Sequence, residues 1–259
     1  MSSLTQDRST AAPATRVVPW PEGIAPVVLP RHIGIIMDGN GRWATGRSLP
    51  RVCGHEAGAE SIRDIVRACG EIGIEYLTLF AFSTENWKRP VDETDFLMTL
   101  LKRFLISERE ELHQNNVSLH TVGKVHELPQ FAQEELQASV DFLAANSGLK
   151  LTLALNYGGR EEIADAAARL AQLVHTGKIQ PHEITAERLN AEIHANGLPD
   201  PDLIVRTAGE MRLSNFLLWQ ASYAEYWSTE VCWPDFRRNH LCQALTDFAK
   251  RKRKFGALL

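Results

Sequence analysis

Residues 32–43 read His-Ile-Gly-Ile-Ile-Met-Asp-Gly-Asn-Gly-Arg-Trp, and this stretch decides the fold. Ile33 to Met37 is a short apolar run with no polar alternation, the pattern of a parallel strand buried on both faces. The run breaks at Asp38 and continues as Gly39, Asn40, Gly41, Arg42 and Trp43. In open α/β sheets, ligands bind just beyond the carboxyl ends of the strands. A carboxylate, a pliable backbone and a guanidinium at such an end predict a site for a phosphorylated ligand and a metal.

Working outward, the same strand-then-polar-loop unit recurs. Tyr76 to Phe82 reads as a buried strand that runs into Ser83-Thr84-Glu85-Asn86-Trp87-Lys88-Arg89. Leu149 to Leu155 runs into Asn156-Tyr157-Gly158-Gly159-Arg160, and Asp202 to Val205 into Arg206. A further strand is expected over Val117 to Val122. Helical spacing of apolar residues predicts helices over Ala57–Ile72, Glu93–Asn115, Glu127–Ala145, Glu161–Val174 and Ala186–Ala195, and a last one from about Asn239 into Lys250–Lys254. The aromatic-rich residues 214–235 should close the sheet. Alternating strands and helices predict an α/β single domain, a mainly parallel central sheet flanked by helices. Its polar loops would gather at one rim. Residues 1–30, with Pro13, Pro19, Pro21, Pro26 and Pro30, read as a flexible tail ordered only from near Trp20, and residues 31–259 as the catalytic domain.

The bulk numbers exclude several classes. A net charge of −4 over 259 residues argues against nucleic-acid binding. Cys53, Cys69, Cys232 and Cys242 are far apart, which disfavours a zinc site or a disulfide framework and suits a reducing, cytoplasmic setting. No apolar run reaches the ~20 residues of a membrane span, and the amino terminus has no secretory h-region.

Gly39-x-Gly41-x-x-Ala44 also fits a dinucleotide-binding turn. Two features oppose that reading. Asp38 would repel an unaccompanied pyrophosphate, and the acidic residue expected about 20 residues on, at the end of the next strand, is missing. Magnesium removes the first difficulty, since it is held by one or two carboxylates plus substrate phosphates. Arg51 and His55 flank Gly54 just before the expected helix start, which suits phosphate. Arg206 and Arg212 around a glycine turn suit a second diphosphate. Glu225 lies among Tyr223, Tyr226 and Trp227, where a buried carboxylate would want a metal or an arginine.

With these residues in view, the sequence resembles the cis-prenyltransferases, or isoprenyl transferases. The matching words are His32…Met37-Asp38-Gly39-Asn40-Gly41-Arg42-Trp43, Gly54-His55, Phe82 through Pro90, Asn156 through Arg160, Arg206-Thr207-x-Gly209-Glu210, and Arg212-x-Ser214 through Gln220, with Glu225 downstream. The resemblance covers about residues 31–256. It implies a homodimer of α/β subunits that condenses isopentenyl diphosphate onto an allylic diphosphate such as farnesyl or geranyl diphosphate. Each new double bond would be cis, and the product would be an undecaprenyl-type lipid-carrier precursor for cell-wall synthesis.

Carried over, Asp38 binds Mg2+ and is catalytic, and Asn86 is the assigned proton acceptor, although a neutral amide is a poor base and suits orientation better. Gly39, Asn40, Gly41, Arg42, Arg51 and His55 hold the allylic diphosphate. Trp43, Ser83, Thr84, Glu85, Trp87 and Arg89 assist. Arg206, Arg212, Leu213 and Ser214 hold isopentenyl diphosphate, and Glu225 is a second metal-associated carboxylate near the dimer interface. Ala208 stands where many relatives carry glycine or serine, and Met211 where some carry histidine. The growing chain would lie in an apolar tunnel walled by the helix over 93–115 and the strand over 76–82. The basic run Lys250–Lys254 is a candidate for peripheral contact with anionic lipid at the inner membrane face. A non-catalytic partner subunit of the same fold and a dinucleotide-dependent oxidoreductase are the competing readings. Asp38, Asn86 and the arginine pair oppose the first, and the missing ribose-binding acid opposes the second.

Overall fold

The computed structural model describes residues 17–18, 27–193 and 197–251. Two short strands, β1 (Val17–Val18) and β2 (Val27–Val28), pair antiparallel inside the segment read as a tail. One sheet is built from β3 (His32–Ile36), β4 (Tyr76–Ser83), β5 (Ser118–Val122), β6 (Lys150–Tyr157), β7 (Leu203–Arg206) and β8 (Glu225–Ser228). Its order is β5-β6-β4-β3-β7-β8, and every pairing is parallel. The helices are α1 (Asn40–Thr45), α2 (Arg51–Ile72), α3 (Val91–Gln114), α4 (Gln130–Leu143), α5 (Gly159–His175), α6 (Ala186–Ile193) and α7 (Arg238–Lys250).

All five residues of β3 are buried, as the unbroken apolar run demands. On one side of β3 lie β4, β6 and β5, with β6 inserted between the two earlier strands, and the chain then crosses to lay β7 and β8 on the other. The carboxyl end of β3 is therefore a topological switch point, the usual place for a ligand crevice. Alternate strand residues serve two cores. Leu203 and Val205 face the larger cluster, shared with α2, α3, α4 and α7, whereas Ile204 faces the smaller one around Phe216 and Leu217. As expected for the aromatic-rich stretch, β8 closes one edge of the sheet. Among the described residues no helix is long and apolar enough to cross a membrane. The basic residues Lys252, Arg253 and Lys254 lie outside the described residues.

One boundary differs in a way that matters for the site. α2 starts at Arg51, directly after Pro50, and not at Ala57. Arg51 and His55 are thus helical, one turn apart, rather than on a loop ahead of a helix. Gly54 and Gly58, both inside α2, serve close packing. A Cβ at position 54 would sit 1.9 Å from the Asn40 carbonyl oxygen, and one at 58 would sit 2.7 Å from Asn40 Oδ1. The two glycines let α2 press against the loop that carries Asp38.

Candidate active site

The loop after β3 is fixed from several directions. The Asp38 carbonyl accepts from Thr207 Oγ1 at 2.7 Å and from the Trp233 backbone N–H at 2.9 Å. Trp233 is buried, and its Nε1 donates to the Gly58 carbonyl at 2.9 Å. Gly39, at φ +96°, turns the chain into α1, a conformation that favours glycine. The Gly39 N–H donates to Asp38 Oδ1 at 2.6 Å.

Arg206 ends β7 almost fully buried, 3% exposed. Its Nη2 donates to Asp38 Oδ2 at 2.9 Å and its Nη1 to Ser214 Oγ at 2.7 Å and to the Arg212 carbonyl, while Nε has no partner. Arg42 approaches the other Asp38 oxygen at 3.3 Å and donates to the Ala208 carbonyl at 2.8 Å. Burial pushes the Asp38 carboxyl upward, but the Arg206 hydrogen bond, the Gly39 amide and the two guanidinium charges outweigh it. Asp38 is held below its ordinary value and stays ionised near neutrality.

Across the mouth stand Arg51, His55 and Arg89. Arg89 Nη1 donates to Glu93 Oε1 at 2.9 Å, and Arg51 Nε lies 3.5 Å from Glu93 Oε2. The Arg51 guanidinium reaches Gly41, where a Cβ would come within 2.8 Å of its Nη1. His55 is pushed down to about 4, first by burial and then by the nearby Arg89 and Arg51 charges, with Glu93 pulling the other way. The loop after β4 closes this side. Asn86 Oδ1 accepts from the Ser83 N–H at 3.1 Å, and Asn215 Nδ2 donates to Glu85 Oε1 at 2.9 Å. Burial raises the Glu85 carboxyl, but hydrogen bonds from its own backbone, Asn215, Ser83 and Thr84 hold it below its ordinary value.

These groups rim one cavity of about 740 Å³. Asp38, Gly39, Asn40, Gly41, Arg42, Arg51, His55, Ser83, Glu85, Asn86, Arg89, Arg206 and Ser214 all form its wall. Beyond this rim the wall is apolar: Ile62 from α2, Phe80 and Phe82 from β4, Leu153 and Leu155 from β6, and Leu97, Met98, Leu101 and Phe104 from α3. A charged mouth thus opens into a greasy interior between the sheet and the α2–α3 pair.

A profile described as the putative undecaprenyl diphosphate synthase family matches residues 36–256. The chain belongs to that family. Isoprenyl transferase of Clostridium tetani is 50% identical over 230 residues, 89% of this chain and 90% of that protein. Isoprenyl transferase of Brucella suis biovar 1 is 51% identical over 229 residues, 88% of this chain and 90% of that protein. Among solved structures, lavandulyl diphosphate synthase from Lavandula x intermedia in complex with dimethylallyl diphosphate superposes with a TM-score of 0.85 at 35% identity, covering 88% of this chain and 98% of that one. A probable undecaprenyl diphosphate synthase from Campylobacter jejuni gives 0.72 at 35% identity, covering 88% and 98%. The protein is a prenyltransferase with the all-parallel sheet of its relatives.

Within this prenyltransferase, six of the expected site residues do not form the cavity wall. Trp43 donates from Nε1 to Asp235 Oδ1 at 2.8 Å and lies under the Arg47 guanidinium. Trp87 donates to Asn156 Oδ1 at 2.8 Å and packs edge-on against Phe82. Thr84 starts the short helical turn after β4. Arg212 pairs with Glu210, and Leu213 packs against the smaller core cluster.

Glu225 lies away from this cavity. It begins β8 in register with Leu203, at the amino end of the sheet, and takes an ion pair from Arg251 at 2.8 Å. In a parallel sheet that end is opposite Asp38, so within one chain the two carboxylates do not share a metal. Arg251 supplies the arginine that its aromatic surroundings called for. Met211 is 74% exposed, and its Sδ accepts from Ser228 Oγ at 2.7 Å.

Sequence reasoning missed Glu93, Arg160 and Asn215. Arg160 lies on the cavity wall, and its backbone N–H donates to Asn215 Oδ1 at 2.8 Å. Both stood inside quoted motifs following strands, which was the available signal. Glu93 carried none, because an acid in the first turn of a helix is ordinary.

Among the described residues no group of three or more His, Cys, Asp or Glu side chains could enclose a metal. Asp38, ionised and on the wall, fits an ion that takes one carboxylate and completes its shell with substrate phosphate and water.

Proposed function

We propose that this prenyltransferase elongates an allylic diphosphate with isopentenyl diphosphate, with Mg2+ as cofactor, to give a Z-polyprenyl diphosphate. The observation that carries the reading is the single cavity that joins a cation-rich rim around Asp38 to an apolar interior. Arg42, Arg51, His55 and the amides at the start of α1 would hold the allylic diphosphate. Arg206 and Ser214 would hold isopentenyl diphosphate. Mg2+, bound by Asp38 and diphosphate oxygens, would neutralise charge on the leaving group.

Breaking the allylic C–O bond sends its electron pair to the departing diphosphate, and the guanidinium groups and amides stabilise that charge. The double bond of isopentenyl diphosphate then attacks the allylic cation, and a proton must leave. Asn86 is a poor acceptor, because its carbonyl oxygen already takes the Ser83 N–H. Its remaining amide donors suit orienting a diphosphate, which leaves the released diphosphate or Asp38 as the base. The new chain would thread into the wall formed by Ile62, Leu101 and Phe104.

On this reading the product is the precursor of an undecaprenyl-type lipid carrier, the enzyme acts as a homodimer that brings Glu225 near the interface, and the basic carboxyl-terminal run meets anionic lipid at the membrane surface. Incubation with labelled isopentenyl diphosphate, Mg2+ and either geranyl or farnesyl diphosphate, followed by product sizing, tests the core of it. Chain extension that requires Mg2+ is expected. No extension with any allylic primer would overturn the proposal.

A further inference from the structure

We infer that Glu93 is a positioning residue that braces Arg51, His55 and Arg89 from behind, so that their donors converge on one diphosphate. The inference deepens the proposed function and rests on it. Glu93 sits in the first turn of α3 with its side chain 13% exposed. It does not form the cavity wall, whereas Arg51, His55 and Arg89 all do. The carboxylate therefore stands on the far side of the cations from the ligand space. It receives Arg89 Nη1 at 2.9 Å and lies 3.5 Å from Arg51 Nε and 3.9 Å from His55 Nε2.

Arg51 and His55 belong to α2, while Arg89 ends the loop after β4, so one carboxylate ties together the two elements flanking the mouth. Arg51 turns its Nε to Glu93 and its Nη atoms to Gly41, in the amide cradle. That division leaves the forked end of the guanidinium for an anion. His55 Nε2 is buried without a hydrogen-bond partner. Without a fixed counter-charge, two guanidinium groups this close would repel and swing apart, and the site would have to be reassembled at each binding event. The second cation group, Arg206 with Ser214, has its own carboxylate in Asp38 and makes no contact with Glu93.

The test uses the full-length enzyme, with each substrate varied separately, together with calorimetric titration of inorganic diphosphate. Glu93→Ala is expected to raise KM for the allylic diphosphate about tenfold, the scale of one lost charged hydrogen bond. Inorganic diphosphate should bind correspondingly more weakly. KM for isopentenyl diphosphate and kcat should stay within about twofold, the pattern of lost ground-state binding. Glu93→Gln keeps an oxygen acceptor for Arg89 but loses the counter-charge, so it should recover only part of the loss and leave a selective rise in allylic KM of about threefold.

An unchanged or lowered KM for the allylic diphosphate overturns the inference, since the carboxylate would then only compete with the ligand. So does an equal loss for both substrates, which marks a merely structural role. If Glu93→Ala does not fold, Glu93→Gln decides alone: a selective rise in allylic KM supports the brace, and no selective rise overturns it. Failure of the unaltered enzyme to elongate any primer breaks the proposed function instead, before any variant is made.

Discussion

At the mouth of the cavity, Asp38, Arg42 and Arg206 are held by hydrogen bonds that cross between loops, whereas deeper in, Ile62, Leu101 and Phe104 present only apolar side chains. The two regions obey different tolerances. A hydrogen-bonded ion cluster fails when one member is removed, because the partner is left buried and unpaired. An apolar wall changes shape by degrees, and its substitutions alter volume before they alter chemistry. The mouth should therefore govern whether reaction occurs, and the interior should govern how far it goes. α3 links the two, since it carries Glu93 behind the mouth and Phe104 about 16 Å further along the helix axis.

The largest effect should come from Asp38→Ala, which is expected to lower turnover about a thousandfold, as removal of a key charge-stabilising group does. It should also cost up to about 3 kcal/mol of stability, because Arg206 loses its carboxylate. Asp38→Asn retains an acceptor for Arg206, so activity loss without the drop in melting temperature would separate the two roles. Near-normal turnover in either folded variant would remove Asp38 from the chemistry.

Arg206→Ala should raise KM for isopentenyl diphosphate about thirtyfold, equivalent to about 2 kcal/mol for a lost buried charge contact. The allylic KM should rise less, and the opposite order would exchange the two diphosphate sites.

A third test concerns stability against pH. His55 sits at about 4 in the fold against an ordinary 6.5. Between those values the unfolded chain binds a proton that the folded chain does not, so stability falls as pH is lowered through this window and the loss is complete below the folded value. The contribution reaches about 3 kcal/mol across the window. Denaturant melts should show that slope, and His55→Gln should flatten it. A wild-type slope that survives the substitution would assign it to other groups.

The smallest effect on rate should come from the interior. Phe104 and Ile62 border both the main cavity and a small one of about 20 Å³ between α2 and α3. Phe104→Ala joins the two and should lengthen the product while turnover stays within about twofold. Unchanged product sizes would show that the chain stops elsewhere.

Much of the mouth was legible in the chain because its signals are local. A strand buried on both faces must be apolar, and the abrupt break at Asp38 marks where burial ends. The polar loops after β4, β6 and β7 follow by the same logic, since a parallel sheet brings all carboxyl ends to one rim. The sequence sets the start of α2 too late: it places Gly54 ahead of a helix beginning at Ala57, yet α2 begins at Arg51 and runs through Gly54 and Gly58, which lets it approach Asn40. Glu225 could not be placed from the sequence, because a carboxylate among aromatics says nothing about which end of a strand it occupies.

The sequence by itself determined the alternation of strand and helix, the position of Asp38 at a strand end, and the set of cations available to bind phosphate. These depend on residues within a few positions of each other, where steric and burial preferences act. Only the tertiary structure decided which charges meet. Asp38 and Arg206 are 168 residues apart and pair because β3 and β7 are neighbours in the sheet. Glu93 stands behind two arginines and His55 because α2 and α3 flank the same opening, and Glu225 pairs with Arg251 at the far end because β8 runs parallel to β7. Strand order and helix packing set these distances, and the chain's local chemistry is compatible with many others.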